Sequence, residues 1–292
     1  MSFVILKLRG GLGNQLFQYS AARFLAQTRD SDLIVDESWY SNVPKGNTQR
    51  NFDLRHLELD FSHWRSTYTL ACWIYGNRFL GRIPMKFPGL TKVREPADLF
   101  SKSIQDIRGS VFLDGYWQNY NIPEILGNDL RIDLLKIPHG KLANAPLAQA
   151  ITSSESVAVH VRRGDYVTNP AAASFHGVCE PEYYLRAVEL IHQAHKDVKW
   201  FVFSDDISWA EENLTFPSEV VYVDERSTLG PIADLYFMSL CTHHIIANSS
   251  FSWWGAWLGY NKDQIVVVPD PWFAGSPEPE SLIPSKWIKF AL

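Results

Sequence analysis

"SVAVHVRRGDYV", residues 156–167, decides how this chain folds. Val157, Ala158 and Val159 form a short unbroken apolar run, which reads as a strand buried on both faces. Polarity then changes abruptly, because His160, Arg162, Arg163 and Asp165 crowd the end of the run. The same shape recurs downstream. "KWFVFS" (199–204) leads into Asp205 and Asp206, and "HIIAN" (244–248) leads into Ser249 and Ser250. "EVVYV" (219–223) and "QIVVVP" (264–269) supply further strands. Between them, "PEYYLRAVELIHQAH" (181–195), "DDISWAEENL" (205–214), "GPIADLYFMSLCTH" (230–243) and "SFSWWGAWLGY" (250–260) read as helices. Strands alternating with helices at this rhythm build a mostly parallel sheet covered on both faces.

Nearer the N-terminus, Phe3 to Leu8 reads as a strand, followed by "RGGLGN" (9–14). In residues 15–28, Leu16, Phe17, Ala21, Phe24 and Leu25 recur at helical spacing, and a second strand follows at about 33–36. Strand, glycine turn, helix and strand make a βαβ unit. Residues 40–135 are irregular, aromatic and punctuated by Pro and Gly. The expected architecture is therefore α/β, with two Rossmann-type domains, 1–150 and 151–292. The tail "PSKWIKFAL" (284–292) is left free to pack back on the first domain.

Composition narrows the function. A chain of 292 residues with 46% hydrophobic and 20% charged residues holds a substantial core. A net charge of −5 argues against binding nucleic acid through bulk electrostatics. Cys72, Cys179 and Cys241 form no CxxC pair, which suggests a reducing compartment and neither a disulfide framework nor a zinc site. No run approaches the ~20 apolar residues that span a bilayer, so the expectation is a cytoplasmic protein, with peripheral membrane association left open. Eleven tryptophans suit the faces of sugar rings, though most are expected in the core.

Ligands of open parallel sheets bind beyond the carboxyl ends of the strands. Four polar groups fall there: Arg162, Arg163 and Asp165; Ser204, Asp205 and Asp206; Asn248, Ser249 and Ser250; and Gly10, Gly11, Gly13, Asn14 and Gln15. Guanidinium forks fit phosphate, and a helix beginning at 249–250 offers free N–H groups to an anion. Plain helix capping also accounts for Ser249–Ser250 and for the aspartates. An internal Arg163–Asp165 ion pair would leave Arg162 aimed at the ligand. The glycine loop is neither GxGxxG nor a Walker loop, although Asp36 stands at the distance an acidic ribose ligand would need. No metal is expected. His243 and His244 are adjacent and would point to opposite sides of a strand, His192 and His195 lack a neighbouring carboxylate, and "SDD" is not a separated DxD pair.

"HVRRGDYV" (160–167) resembles the HxRRxD signature shared by several fucosyltransferase families. With "GGLGNQLFQY" (10–19) and "NSSFSWWGAWL" (248–258), in this order and spacing, the chain resembles the α-1,2-fucosyltransferases from residue 4 to about 270. The resemblance implies a GT-B-like pair of Rossmann domains facing across a cleft, GDP-fucose as co-substrate, inversion, and no required metal or other cofactor. It also implies a galactose-terminated glycan as acceptor, lipopolysaccharide side chains being one source. Carried over by motif, Arg162 binds the β-phosphate, His160 lines the same pocket, and Arg163 and Asp165 support the loop. Asp205 reads guanine or ribose, while Asn248, Ser249, Ser250 and Ser252 meet the diphosphate. Gly11, Gly13, Asn14 and Gln15 close over fucose.

Inverting transfer needs the acceptor hydroxyl to lose its proton. In related α-1,6 enzymes a glutamate follows the arginine motif, but "YVTNPAAASFHG" (166–177) contains no carboxylate. Asp165 is then the nearest base, with departing phosphate as the alternative. Two other functions compete: a dinucleotide-dependent oxidoreductase on the same architecture, and a non-catalytic glycan-binding protein. "WIYGNRFLGRIPMKF" (73–87) and "FLDGYWQNYN" (112–121), in particular Tyr116, Trp117, Gln118 and Asn119, are candidates for shaping an acceptor pocket.

Overall fold

The computed structural model describes residues 2–44, 48–63, 88–223, 230–259 and 261–292. The stretch 73–87 and Cys72 lie outside the described residues. The chain forms two compact units, residues 1–134 and 135–292. The division falls earlier than the expected 150, because residues 146–152 pack with the second unit. Ala148 and Ile151 join Phe201, Phe203, Ala233, Tyr236 and Phe237 in one buried cluster.

Unit 1 is a five-stranded sheet in the order β3-β2-β1-β5-β4. Its strands are β1 (Phe3–Lys7), β2 (Asp32–Asp36), β3 (Ser62–His63), β4 (Leu90–Arg94) and β5 (Ser110–Asp114). The glycine loop leaves β1 and enters helix α1 (Leu12–Thr28). Helix α2 (Asn121–Leu142) is broken at Gly127, whose φ of 56° only glycine adopts without strain, and it runs across the division between units. Residues 40–135, irregular by sequence, thus contain, among those described, the three strands β3, β4 and β5 and most of this helix. β4 escapes a periodicity reading because it is an edge strand whose exposed positions carry Thr91 and Arg94.

Unit 2 is a six-stranded sheet in the order β11-β10-β9-β6-β7-β8. The strands are β6 (Ser156–Val161), β7 (Lys199–Ser204), β8 (Val220–Val223), β9 (His243–Ile245), β10 (Val266–Asp270) and β11 (Ile288–Ala291). Helices α3 (Pro146–Thr152), α4 (Gly164–Thr168), α5 (Pro170–His176), α6 (Pro181–Ala194), α7 (Ile207–Asn213), α8 (Pro231–Leu240) and α9 (Ser250–Leu258) connect them. Every pairing among the described strands of both sheets is parallel. The tail does not remain free for unit 1: Ile288–Ala291 pairs with Val267–Asp270 as an edge strand.

β6 is central and buried at all six positions. Val157, Val159 and Val161 pack with Tyr183, Tyr184, Ala187 and Ile191 of α6 on one face. Ala158 faces α8 on the other. Full burial of each such valine stabilises the sheet by about 1.5–3 kcal/mol. Helix α9 is a core helix. Trp253, Trp254 and Trp257 are buried, and the Trp253 indole N–H donates to the Leu282 carbonyl at 3.0 Å. These tryptophans serve packing and leave no stacking face for a sugar. Among the described residues, no helix is long and apolar enough to cross a membrane.

Candidate active site

Arg162 and Arg163 follow the carboxyl end of β6 and take different partners. Arg162 lies between two carboxylates: it pairs with Asp165 in the first turn of α4 and with Asp205 after β7, at 2.7 Å. Arg163 goes elsewhere. Its guanidinium stacks on Trp209, 4.1 Å from the ring centroid, with Asp206 at 3.7 Å. Its backbone N–H donates to Asp205 Oδ1 at 2.8 Å. The internal Arg163–Asp165 pair expected from sequence is therefore replaced by Arg162–Asp165. One carboxylate, Asp205, ties both arginines together. Burial works against the Arg162 charge, but Asp205 and Asp165 outweigh it and hold its pKa above the ordinary value.

His160 is buried and wholly desolvated, its ring 5.6 Å from Phe251 at the start of α9. Burial, reinforced by the Arg162 charge, pushes its pKa down to about 3, so the ring is neutral. Its Nδ1 has no hydrogen-bond partner among the described residues. A buried imidazole nitrogen without a partner beside an arginine is a group awaiting a ligand or a water.

The NSSFS turn divides into structural and available groups. Ser249 caps α9 by accepting from the Phe251 N–H at 3.3 Å. Ser252 is wholly buried and donates to the carbonyls of Ala247 and Ser249. Asn248 is buried too. Its amide donates to the His176 carbonyl at 2.6 Å, and its carbonyl oxygen accepts from the Cys179 thiol at 3.6 Å. Ser252 and Asn248 therefore hold the turn in place through their side chains. Ser250 is half-buried at the first position of α9.

In unit 1, the glycine loop is tied down by amides. Gln15 is wholly buried, donating to the carbonyls of Gly10 (2.9 Å) and Asn51 (2.7 Å). Its oxygen accepts from the N–H groups of Asp53 and Leu54 at 3.0 and 3.1 Å. With those four bonds made, Gln15 shapes the loop. Gln18, which sequence reasoning passed over, pairs with both backbone groups of Arg9. Its signal was legible: a glutamine repeated at i+3, flanked by Leu16, Phe17 and Tyr19. Gly10 takes φ +80°, Gly11 precedes α1 with no side-chain cap, and Gly13 is buried in its first turn. Asn14 is half-buried and accepts from the Gln118 amide at 2.8 Å, so "DGYWQN" and the glycine loop meet. Near them Asp114 gathers Arg9, Lys92 and Arg94, each at 3.1 Å. Asp36 accepts from the Ser38 N–H, closing a turn after β2.

One group of potential metal ligands exists among the described residues: Glu155, His195 and His243. The Ile265 N–H donates to His243 Nδ1 at 3.1 Å, so Nε2 carries the ring proton and faces Glu155 at 3.4 Å. A protonated Nε2 cannot ligate a metal. These residues also sit at the amino end of β6, roughly 20 Å of strand from Arg162.

Comparison with known proteins settles the class. The fold matches that of a mutant of Arabidopsis thaliana FUT1 solved in complex with GDP, with a TM-score of 0.56 and 13% identity, covering 97% of this chain and 74% of that one. That fold is α/β and GT-B-like, each unit built on a parallel sheet. More narrowly, the chain belongs to glycosyl transferase family 11, whose model matches residues 101–290. Alpha-1,2-colitosyltransferase of Escherichia coli is 34% identical over 99% of both chains. Galactoside alpha-(1,2)-fucosyltransferase 1 of Bos taurus is 29% identical over 46% of this chain and 39% of its own. Neither an oxidoreductase nor a glycan-binding protein without catalysis fits this membership.

Proposed function

We propose that this protein transfers L-fucose from GDP-fucose to the 2-hydroxyl of a terminal galactose, with inversion at the anomeric carbon. The observation that supports the reading is Arg162, a charged fork held in place by Asp165 and Asp205 beyond β6, which we assign to the leaving β-phosphate. As the glycosidic bond to phosphate breaks, negative charge grows on the departing oxygen. A preorganised guanidinium stabilises that charge without reorganising, and the N–H groups opening α9 add to it. We infer that these groups replace a divalent ion, so turnover should survive exhaustive chelation by EDTA.

A second donor is favoured by the resemblance to the E. coli colitosyltransferase, which spans 99% of both chains. Colitose is fucose without its 3-hydroxyl, and the α-1,2 linkage is common to both relatives' names. The test is incubation of the purified protein with GDP-fucose or GDP-colitose and a panel of galactose-terminated oligosaccharides, followed by NMR linkage analysis. Fucose on the galactose 2-hydroxyl supports the primary reading. Selective use of GDP-colitose replaces the donor, and transfer to another hydroxyl removes the regiochemistry.

A further inference from the structure

The mechanism leaves a proton without an acceptor. Asp165, the carboxylate nearest in sequence, is engaged by Arg162. That carboxylate is committed to holding the Arg162 fork in place.

His176 stands in the same network. Its ring lies flat on Tyr166, with centroids 4.4 Å apart and planes 6° from parallel, and Arg162 sits over that tyrosine at 5.6 Å. Phe175 and Phe273 pack against it at 4.9 and 5.8 Å. The backbone is pinned as well. The His176 carbonyl accepts from the Asn248 amide, in the turn that opens α9, and from the Ala274 N–H at 3.3 Å. Nδ1 is sealed without a hydrogen-bond partner among the described residues, while the residue as a whole is only half-buried. The aromatic enclosure thus buries one nitrogen and leaves Nε2 as the one a substrate can reach.

From this geometry we infer that His176 Nε2 is the general base, taking the proton of the acceptor hydroxyl. The inference rests on the sugar-transfer reading above. The acceptor oxygen forms its bond to C1 of the donor as the C1–O bond to the β-phosphate breaks. The electron pair leaves with GDP, the hydroxyl proton moves to Nε2, and the resulting imidazolium later releases it to water. The titratable groups facing the ring are Arg162, Asp165 and Tyr166; the 273–275 segment brings none. Burial lowers the His176 pKa, Asp165 opposes this and Arg162 adds to it, so the ring is neutral and able to accept a proton at neutral pH.

The experiment compares wild type, His176→Gln and His176→Phe, the last keeping the aromatic stack. Each is measured for transfer, for the pH profile of kcat/KM, and for GDP affinity by calorimetry. A general base contributes ~10²–10⁴-fold, so both variants should lose at least ~10²-fold in kcat. GDP affinity should stay within about threefold, and the acid limb of the wild-type profile should disappear. In a third variant, His176→Ala, free imidazole should restore part of the lost turnover. Turnover within about threefold of wild type, or an acid limb retained in the variants, overturns the assignment. Parallel loss of GDP affinity and turnover would reduce His176 to a structural role. If wild type transfers no sugar from either GDP donor, the sugar-transfer reading falls first and the base with it.

Discussion

Arg162 keeps its charge in a largely buried position because two carboxylates accept it, and that pairing defines what a substitution should do. Arg162→Ala should lower kcat by ~10²-fold or more, the scale of losing one preorganised donor to a developing oxyanion. The GDP-induced thermal shift should shrink with it. Asp165→Asn gives the opposite kind of result: loosening one side of the fork should cost at most about tenfold in turnover. A loss approaching the ~10²–10⁴-fold of a missing general base would return Asp165 to that role. Gln15→Leu tests a different claim. It strands two carbonyls and two N–H groups in the interior, at about 1–3 kcal/mol each before relaxation. Melting of the protein should fall sharply, while GDP affinity of the folded fraction stays unchanged. At this scale the sequence showed which residue types gather, because polar groups after apolar runs stand out. It did not show which arginine pairs with which aspartate. That depends on the turn after β6, which carries Asp165 to the Arg162 side while Arg163 departs toward Trp209.

Among the elements, the join between β6 and α4 is the tightest. A Cβ on Gly164 would lie 2.3 Å from Asp205 Oδ2, the same oxygen that pairs with Arg162. Gly164→Ala should therefore push Asp205 away from both arginines. We expect GDP affinity to fall at least about tenfold, at a stability cost of about 1–3 kcal/mol. Calorimetry of GDP binding beside a thermal melt separates the two. The glycine in "RRGD" is there for close approach and not for an unusual φ. The strands of unit 2 were legible because strands buried on both faces are continuous apolar runs. β11 was not. Its residues are mostly exposed, it lies at the sheet edge, and neither alternation nor burial marks "IKFA" as a strand.

For the whole molecule, two histidines held neutral in the interior link stability to acidity. Burial lowers the pKa of His160 to about 3 and that of His244 to about 4. Unfolded, both titrate near ~6.5, so between there and those values the unfolded chain binds more protons than the folded one. Stability must then fall as pH falls through this window, by about 1.4 kcal/mol per pH unit for each ring. Denaturant melts between pH 7 and 4 should show it, and His244→Gln should shallow the slope by about one proton. The overall α/β class was readable from the strand–helix rhythm alone. The division near residue 134 was not, because helix α2 carries the chain across it and α3 declares its allegiance only by packing. The parallel sheets also impose an order in time. β1 pairs with β5, Val4 lying opposite Val111, so the strand feeding the glycine loop waits for more than a hundred residues to be synthesised before its second neighbour exists. Closing so long a loop makes folding slow and leaves strand edges open meanwhile. Recovery of folded protein should therefore improve when synthesis is cooled and concentration kept low.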